Sequence, residues 1–155
     1  MKKFILFVTG LLFLMTLSFG SYKKLSSSKY QALLLFDFNN NTRRFNLEDF
    51  KSLDLNFPNL SSTTLPIKFL KSRYYLKVDS VETAKKLIYK SIKDNPYLYA
   101  SEFMLGHIYF SQNKLDSALY YSKRAFYGIT NNNSHRDTYF NVLQELKDSI
   151  SLDSA

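Results

Sequence analysis

The side chains of this chain that could do chemistry are few and scattered. Its two histidines, His107 and His135, stand 28 residues apart. Neither has the histidine or carboxylate one helical turn away that holds a metal on a helix, so no metal site is expected. His107 reads as a groove or interface residue and His135 as a surface residue in the first turn of a helix. Serines are common, but no Gly-x-Ser-x-Gly elbow and no glycine-rich phosphate loop accompanies them. The absence of cysteine excludes disulfides, thiolate zinc sites and thiol catalysis together. Glu48, Asp49 and Asp54 make a small acidic group that a solvated helix face explains. No catalytic residue, cofactor or enzymatic activity is expected.

One cluster is better suited to binding. Lys68, Lys71, Arg73 and Lys77 alternate with Tyr74 and Tyr75, and cations among stacking aromatics are how single-stranded nucleic acid is held. Helical spacing turns these lysines in several directions, however, and a charge run is usually a solvated face. The formal net charge is +8, or +6 without Lys2 and Lys3. That excess can mean nucleic acid, an anionic membrane surface or an acidic partner, and a plain solvated surface on a basic chain near an anionic bilayer explains it better than nucleic-acid binding.

The elements that must position these residues are helices. With 14 Phe and 12 Tyr but only 4 Gly and 3 Pro in 155 residues, a turn-rich sandwich or barrel is disfavoured. Residues 1–20 form a transmembrane anchor or signal peptide: Lys2 and Lys3 precede an uncharged, mostly apolar run of 17 residues from Phe4 to Gly20. That length is near the lower limit for a span, and Ser18-Phe19-Gly20 offers a small-x-small cleavage pattern. Lys2 and Lys3 favour export of the remaining chain to the extracytoplasmic (periplasmic) side, although Lys23, Lys24 and Lys29 pull the other way.

Residues 21–64 should hold a helix with Leu25, Tyr30, Leu33, Leu34 and Phe38 on one face, broken at Asn39-Asn40-Asn41. Next come a short helix over 42–53 and a loop over 54–64. Thr64 with Pro66 opens the next helix, and Asp79 with Glu82 resembles a capping box for the one after it. Asn95-Pro96 and Asn113 open two more, and Gly128 with Asn131-Asn132-Asn133 ends the series. Residues 131–155 form a C-terminal capping helix and tail, opened by Ser134 and Asp137 and carrying Tyr139, Phe140, Leu143, Leu146 and Ile150.

Residues 65–130 repeat themselves. A shift of 34 lays Ser72 on Gly106, Tyr75 on Tyr109, Ala84 on Ala118, Ser91 on Ala125 and Ile92 on Phe126. Small residues meet small ones and aromatics meet aromatics without a gap. Paired helices with this period resemble the tetratricopeptide repeat (TPR) family, and the match is strongest at Leu105-Gly106, Tyr109, Ala118, Ala125 and Pro96. Lys71-Ser72 departs from the usual Leu-Gly pair, and Ser122 stands where an aromatic is expected.

The resemblance implies an all-α fold of antiparallel helix pairs stacked as a short solenoid. It places Gly106 and Ser72 at helix crossings opposite Ala118 and Ala84, Tyr75 and Tyr109 in the wedge of each repeat, and Pro96 between repeats. It also implies a concave groove lined by Phe69, Arg73 and Lys77 from one copy and Phe103, His107 and Phe110 from the other, unless the N-terminal helices cover the Phe residues, as terminal units of a solenoid often do. Such a basic, aromatic floor suits an acidic peptide or protein. The Lys and Asn arrangement that clamps a terminal carboxylate in chaperone-binding members is not present. The function expected is a membrane-anchored or exported scaffold or adaptor. The alternatives are an accessory component of an O-antigen-type polysaccharide polymerase or ligase system and a single-stranded nucleic-acid binder.

Overall fold

The computed structural model describes residues 2–53, 55 and 57–153, the last five of these by backbone alone. Asp54 of the acidic group, the side chain of Ile150 and the tail residues Ser154 and Ala155 lie outside that description. Among the described residues the chain is all-helical, with α1 (Lys2–Asn40), α2 (Leu47–Ser52), α3 (Ile67–Leu76), α4 (Val81–Asp94), α5 (Ala100–Ser111), α6 (Leu115–Gly128) and α7 (Asn133–Asp153).

Helix α1 runs unbroken for 39 residues, about 58 Å at 1.5 Å per residue. Its most apolar window buries nothing against the rest of the chain, and it is long and apolar enough for a membrane span or a signal sequence. Its second half buries Ser27, Gln31, Leu34 and Asp37, a stripe at three- and four-residue spacing, with Gln31 against the loop before α3 and Asp37 against α3. Leu34 belongs to the expected apolar face, but Leu25 is 75% exposed. Polar residues take the buried positions because each has partners. Gln31 Nε2 donates to Ser27 Oγ at 3.0 Å and to the Pro58 carbonyl at 2.9 Å. The Asp37 carboxylate accepts from the Thr42 hydroxyl, the Arg44 amide and the Tyr74 hydroxyl.

Helix α2 is shorter than expected, because Asn46 rather than Thr42 starts it. Asn46 Oδ1 accepts from the Asp49 backbone amide at 2.8 Å, satisfying one first-turn donor, while Asn46 Nδ2 donates to the Asp49 carboxylate at 2.7 Å and holds the cap in place. Phe50 from α2 then stacks on Tyr74, ring centroids 4.3 Å apart. A core of Leu34, Phe50, Ile67, Leu70, Ile88 and Leu105 joins the first five helices.

Asp79 and Asn113 end helices rather than begin them. Both have positive φ, 55° and 54°, as does Asn41 at 52°. At each, the next residue's amide reaches back five residues, as in Thr42 to the Asp37 carbonyl, Ser80 to Tyr75 and Lys114 to Tyr109. The amide of the left-handed residue itself donates three residues back, so two stranded carbonyls are satisfied at once. Asn and Asp tolerate this backbone because their short polar side chains bond locally. Glu82 consequently closes no capping box and pairs instead with Lys85 at 2.6 Å.

Two other starts also shift. Helix α3 begins at Ile67 behind Pro66, with Thr64 at φ 62°. Helix α5 begins at Ala100, leaving Pro96 in the linker, where Asn95 accepts from the Tyr97 amide. At α7 it is Asn132 that caps, accepting from the His135 amide at 3.2 Å.

Helices α4 and α6 are each 14 residues long and start 34 residues apart. Helix α3 packs on α4, α5 on α6, α4 on α5, and α6 on α7. The small residues Ser72, Ala84, Ser91, Gly106, Ala118 and Ala125 are all buried. A Cβ at Gly106 would meet the Ser122 amide nitrogen at 3.2 Å and its Cβ at 3.3 Å. Ser122 therefore faces Gly106 most closely, where Ala118 was expected. Its small hydroxymethyl group allows the approach that an aromatic at 122 would block.

Candidate interaction surface

The inner positions expected to form a groove are occupied by the chain's own ends. Phe69 is 2% exposed and meets Phe38 of α1 edge to face, centroids 5.9 Å apart. The Arg73 guanidinium lies over the same Phe38 ring at 5.3 Å, and its partial burial pulls its pKa down. Lys77 Nζ donates to the carbonyls of Asn41 and Thr42 at 2.7 and 3.0 Å. About 10 Å³ remains open between Leu34, Phe38, Leu70 and Arg73, room for about one water and no partner side chain.

In the second copy the lid is α7. The Phe103 ring is held between two imidazoles, edge-on to His107 at 4.6 Å and stacked on His135 at 4.8 Å. His107 Nε2 pairs with Thr138 Oγ1 at 3.0 Å, although His107 keeps part of its surface exposed. His135, expected at the surface, is 4% exposed, with Nδ1 3.0 Å from the Ala125 carbonyl. Desolvation pushes both imidazoles below their ordinary pKa. Phe110 stays half-buried. Of the six residues expected to share one floor, three are thus contacted by α1 and its following turn and two by α7; Phe69 is buried, Arg73, Phe103 and Phe110 are half-buried, and Lys77 and His107 keep exposed surface.

Tyr75 and Tyr109 also differ in place. Tyr75 packs edge-on to Phe50 of α2 at 5.9 Å. Tyr109 stacks on Tyr121 of α6 at 5.6 Å and shares a 2.5 Å hydroxyl contact with Tyr89 of α4. It therefore fills the wedge of its own hairpin, against Tyr121, and also joins that hairpin to α4.

The open surface lies on the other side of α4 and α6. Lys86, Tyr89, Lys90 and Lys93 are exposed along α4 at spacings of three, one and three, and so are Tyr120, Lys123, Arg124 and Tyr127 along α6. The two sets are offset by 34 at every position, so helical geometry puts each on one stripe. Five cations and three tyrosines occupy these eight positions, with no carboxylate among them.

The tyrosines tie the stripes together. Tyr89 meets Tyr121 at 6.1 Å, and Tyr121 meets Tyr120 at 4.9 Å, both edge to face. Burial, then hydrogen bonds with Tyr109 and Tyr121, push the Tyr89 phenol well above its ordinary pKa, so it stays neutral. Tyr120 and Tyr127 stand 56% and 63% exposed. Arg124 is anchored from below by Glu102, a fully buried carboxylate 3.4 Å from its guanidinium. Sequence reasoning passed over this surface because exposed Lys and Tyr carry no packing signal, although their recurrence at the same 34-residue offset was there to be counted.

The electrostatics can attract an anionic partner, and the phenol rings offer flat apolar area with hydroxyl tips. Comparison of the chain with family models, with curated proteins and with solved structures found no match.

Proposed function

We propose that this chain is a membrane-anchored scaffold built on a tetratricopeptide-like array, which holds an acidic protein partner on the outer face of α4 and α6. The observation that carries this proposal is the doubled basic-tyrosine stripe, Lys86, Tyr89, Lys90 and Lys93 beside Tyr120, Lys123, Arg124 and Tyr127. Tyrosine and arginine are the residues that dominate binding surfaces, and charge complementarity adds association rate and partner choice. The tetratricopeptide-like arrangement is supported by the equal lengths and 34-residue offset of α4 and α6 and by the matched turns at Asp79 and Asn113. Retention of the apolar half of α1 is supported by its unbroken continuation into a helix that packs on the domain. Lys2 and Lys3 before it favour an extracytoplasmic domain.

The test reverses charge where no packing is disturbed. Lys86→Glu, Lys90→Glu and Lys123→Glu, made together, should leave helicity and melting unchanged. They should abolish the salt-sensitive crosslinking of an acidic protein to a photoreactive group at Tyr120 in native membranes. Recovery of the same partner by the triple variant would overturn the assignment. A steep salt slope with RNA as the retained partner would instead favour nucleic-acid binding.

A further inference from the structure

We propose that the membrane-proximal cavity between α1 and the loop before α3 seats a phospholipid headgroup through its phosphate. The proposal rests on retention of the apolar segment as a span. The cavity is about 340 Å³, with Lys24, Ser28 and Ala32 on one wall and Pro58, Leu60 and Ser62 on the other. Its α1 wall repeats at four-residue spacing, so these three residues share one face of the helix. The loop is held there by Gln31, whose amide donates to the Pro58 carbonyl at 2.9 Å.

Depth identifies the occupant. Helix α1 continues without a break from the apolar run into the domain, so height above the hydrocarbon can be counted in residues. Lys24 is four residues beyond Gly20, about 6 Å along the axis, and Ser28 is about 12 Å beyond it. The headgroup layer on each side of a bilayer is about 5–8 Å thick. Lys24 thus sits within that layer, where lipid phosphates are the abundant ligand, and Ser28 stands about 4–7 Å above it, so the lower end of the cavity is the end that meets the headgroups.

The chemistry agrees. The Lys24 ammonium supplies the charge and the Ser62 hydroxyl can donate to a phosphate oxygen, while the Ser28 hydroxyl is already given to the Lys24 carbonyl at 2.7 Å and Ala32, with Pro58 and Leu60, adds an apolar wall on the side away from the bilayer. Tyr22 and Leu25, both exposed, fall in the same layer, where such side chains are favoured. The domain is therefore seated on the headgroups rather than hung on a linker.

The experiment uses the full chain purified in mild detergent and titrated with an anionic phospholipid, bound lipid being counted by native mass spectrometry. Lys24→Glu should weaken retention at least about tenfold. Lys29→Glu, on the same helix but outside the cavity, should leave it within about twofold. Equal losses from both would reduce the effect to diffuse attraction and overturn the site. Displacement of the lipid by equimolar inorganic phosphate would overturn the lipid as its occupant. A nitroxide on Ser62→Cys, unique in a chain without cysteine, should be broadened by paramagnetic headgroups in vesicles, and an unbroadened spectrum would overturn the depth assignment. A purified chain that begins near Ser21 would remove the anchor itself, an outcome separable from failure of the cavity.

Discussion

Replacing Asp37 with alanine should loosen α1 from the domain. The Asp37 side chain is fully buried and serves four donors, namely the Tyr74 hydroxyl, the Thr42 hydroxyl at 2.7 Å, the Arg44 amide at 2.9 Å and Arg44 Nε at 3.3 Å. Hydrogen bonds to a charged group are worth about 1.5–3 kcal/mol net each, and Tyr74 is too buried to find water instead. Arg44 is nearly half-exposed, so its ion pair adds at most about 1 kcal/mol. These losses overlap, and the expected cost is about 3–5 kcal/mol, as for breaking other buried charged pairs. Asp37→Asn keeps the volume and should cost about half of that.

The same residue predicts a pH dependence. Burial alone pushes the Asp37 carboxyl up, but hydrogen bonds from Tyr74, the Arg44 amide and Thr42, with the Arg44 charge, outweigh it and hold the carboxyl below its usual range. A carboxyl depressed in the folded state contributes stability that is complete above its unfolded pKa, about 3.9. That contribution is lost as pH falls through the folded value. Urea unfolding of the full chain in mild detergent, followed by near-ultraviolet circular dichroism from pH 7 to pH 2, measures both effects. Asp37→Asn should remove part of the acid slope seen in the wild type. Equal midpoints at pH 7, or parallel acid slopes, would refute the assignment of Asp37 as the node that fastens α1 to α3.

Two further substitutions test the packing and the turns in the same assay. Gly106→Ala should be near neutral, since a gain of about 1 kcal/mol in helix propensity offsets the push against the Ser122 amide at 3.2 Å. Gly106→Leu should cost about 1–3 kcal/mol by forcing α5 from α6, and an unshifted midpoint would show that the crossing is loose. Asn113→Val should cost about 1–3 kcal/mol, because a β-branched residue is poorly tolerated at φ 54°. Equal stability of the valine and asparagine proteins would show that the left-handed turn is not maintained.

The apolar N-terminal helix, the break at Asn39–Asn41, the loop before α3 and the number of later helices were legible from composition and period. Two kinds of feature were not. Asp79 and Asn113 are good residues both for starting a helix and for ending one in the left-handed conformation, and only the backbone chose between them. Burial on α1 was misjudged because Ser27, Gln31 and Asp37 are polar, and a search for apolar spacing passes over side chains that are buried for their hydrogen bonds. Likewise, Phe69 and Phe103 read equally as groove residues or as residues under a covering helix, because periodicity within one helix does not name its neighbour. Asp37, Phe38 and His135 supply that information from 30 or more residues away along the chain.

The chain's two ends therefore decide which face of the array can meet another molecule. Helix α1 closes the Phe69–Arg73 side through contacts at Phe38, Asp37 and the Asn41–Thr42 turn, and α7 closes the Phe103–His107 side through His135 and Thr138. A lid at the end of a flexible linker would come away when a peptide competed for the groove. Here α1 is one unbroken helix whose other half is the apolar segment, so releasing Phe69 requires moving that helix against whatever holds it. With the segment fixed in a bilayer, displacement would cost the Asp37 hydrogen bonds and the Phe38 packing together, while a peptide would regain only part of them. The packing of Phe69 should therefore persist, and under the proposed function recognition falls to the outer stripes, where no side chain has to be evicted before a partner can bind.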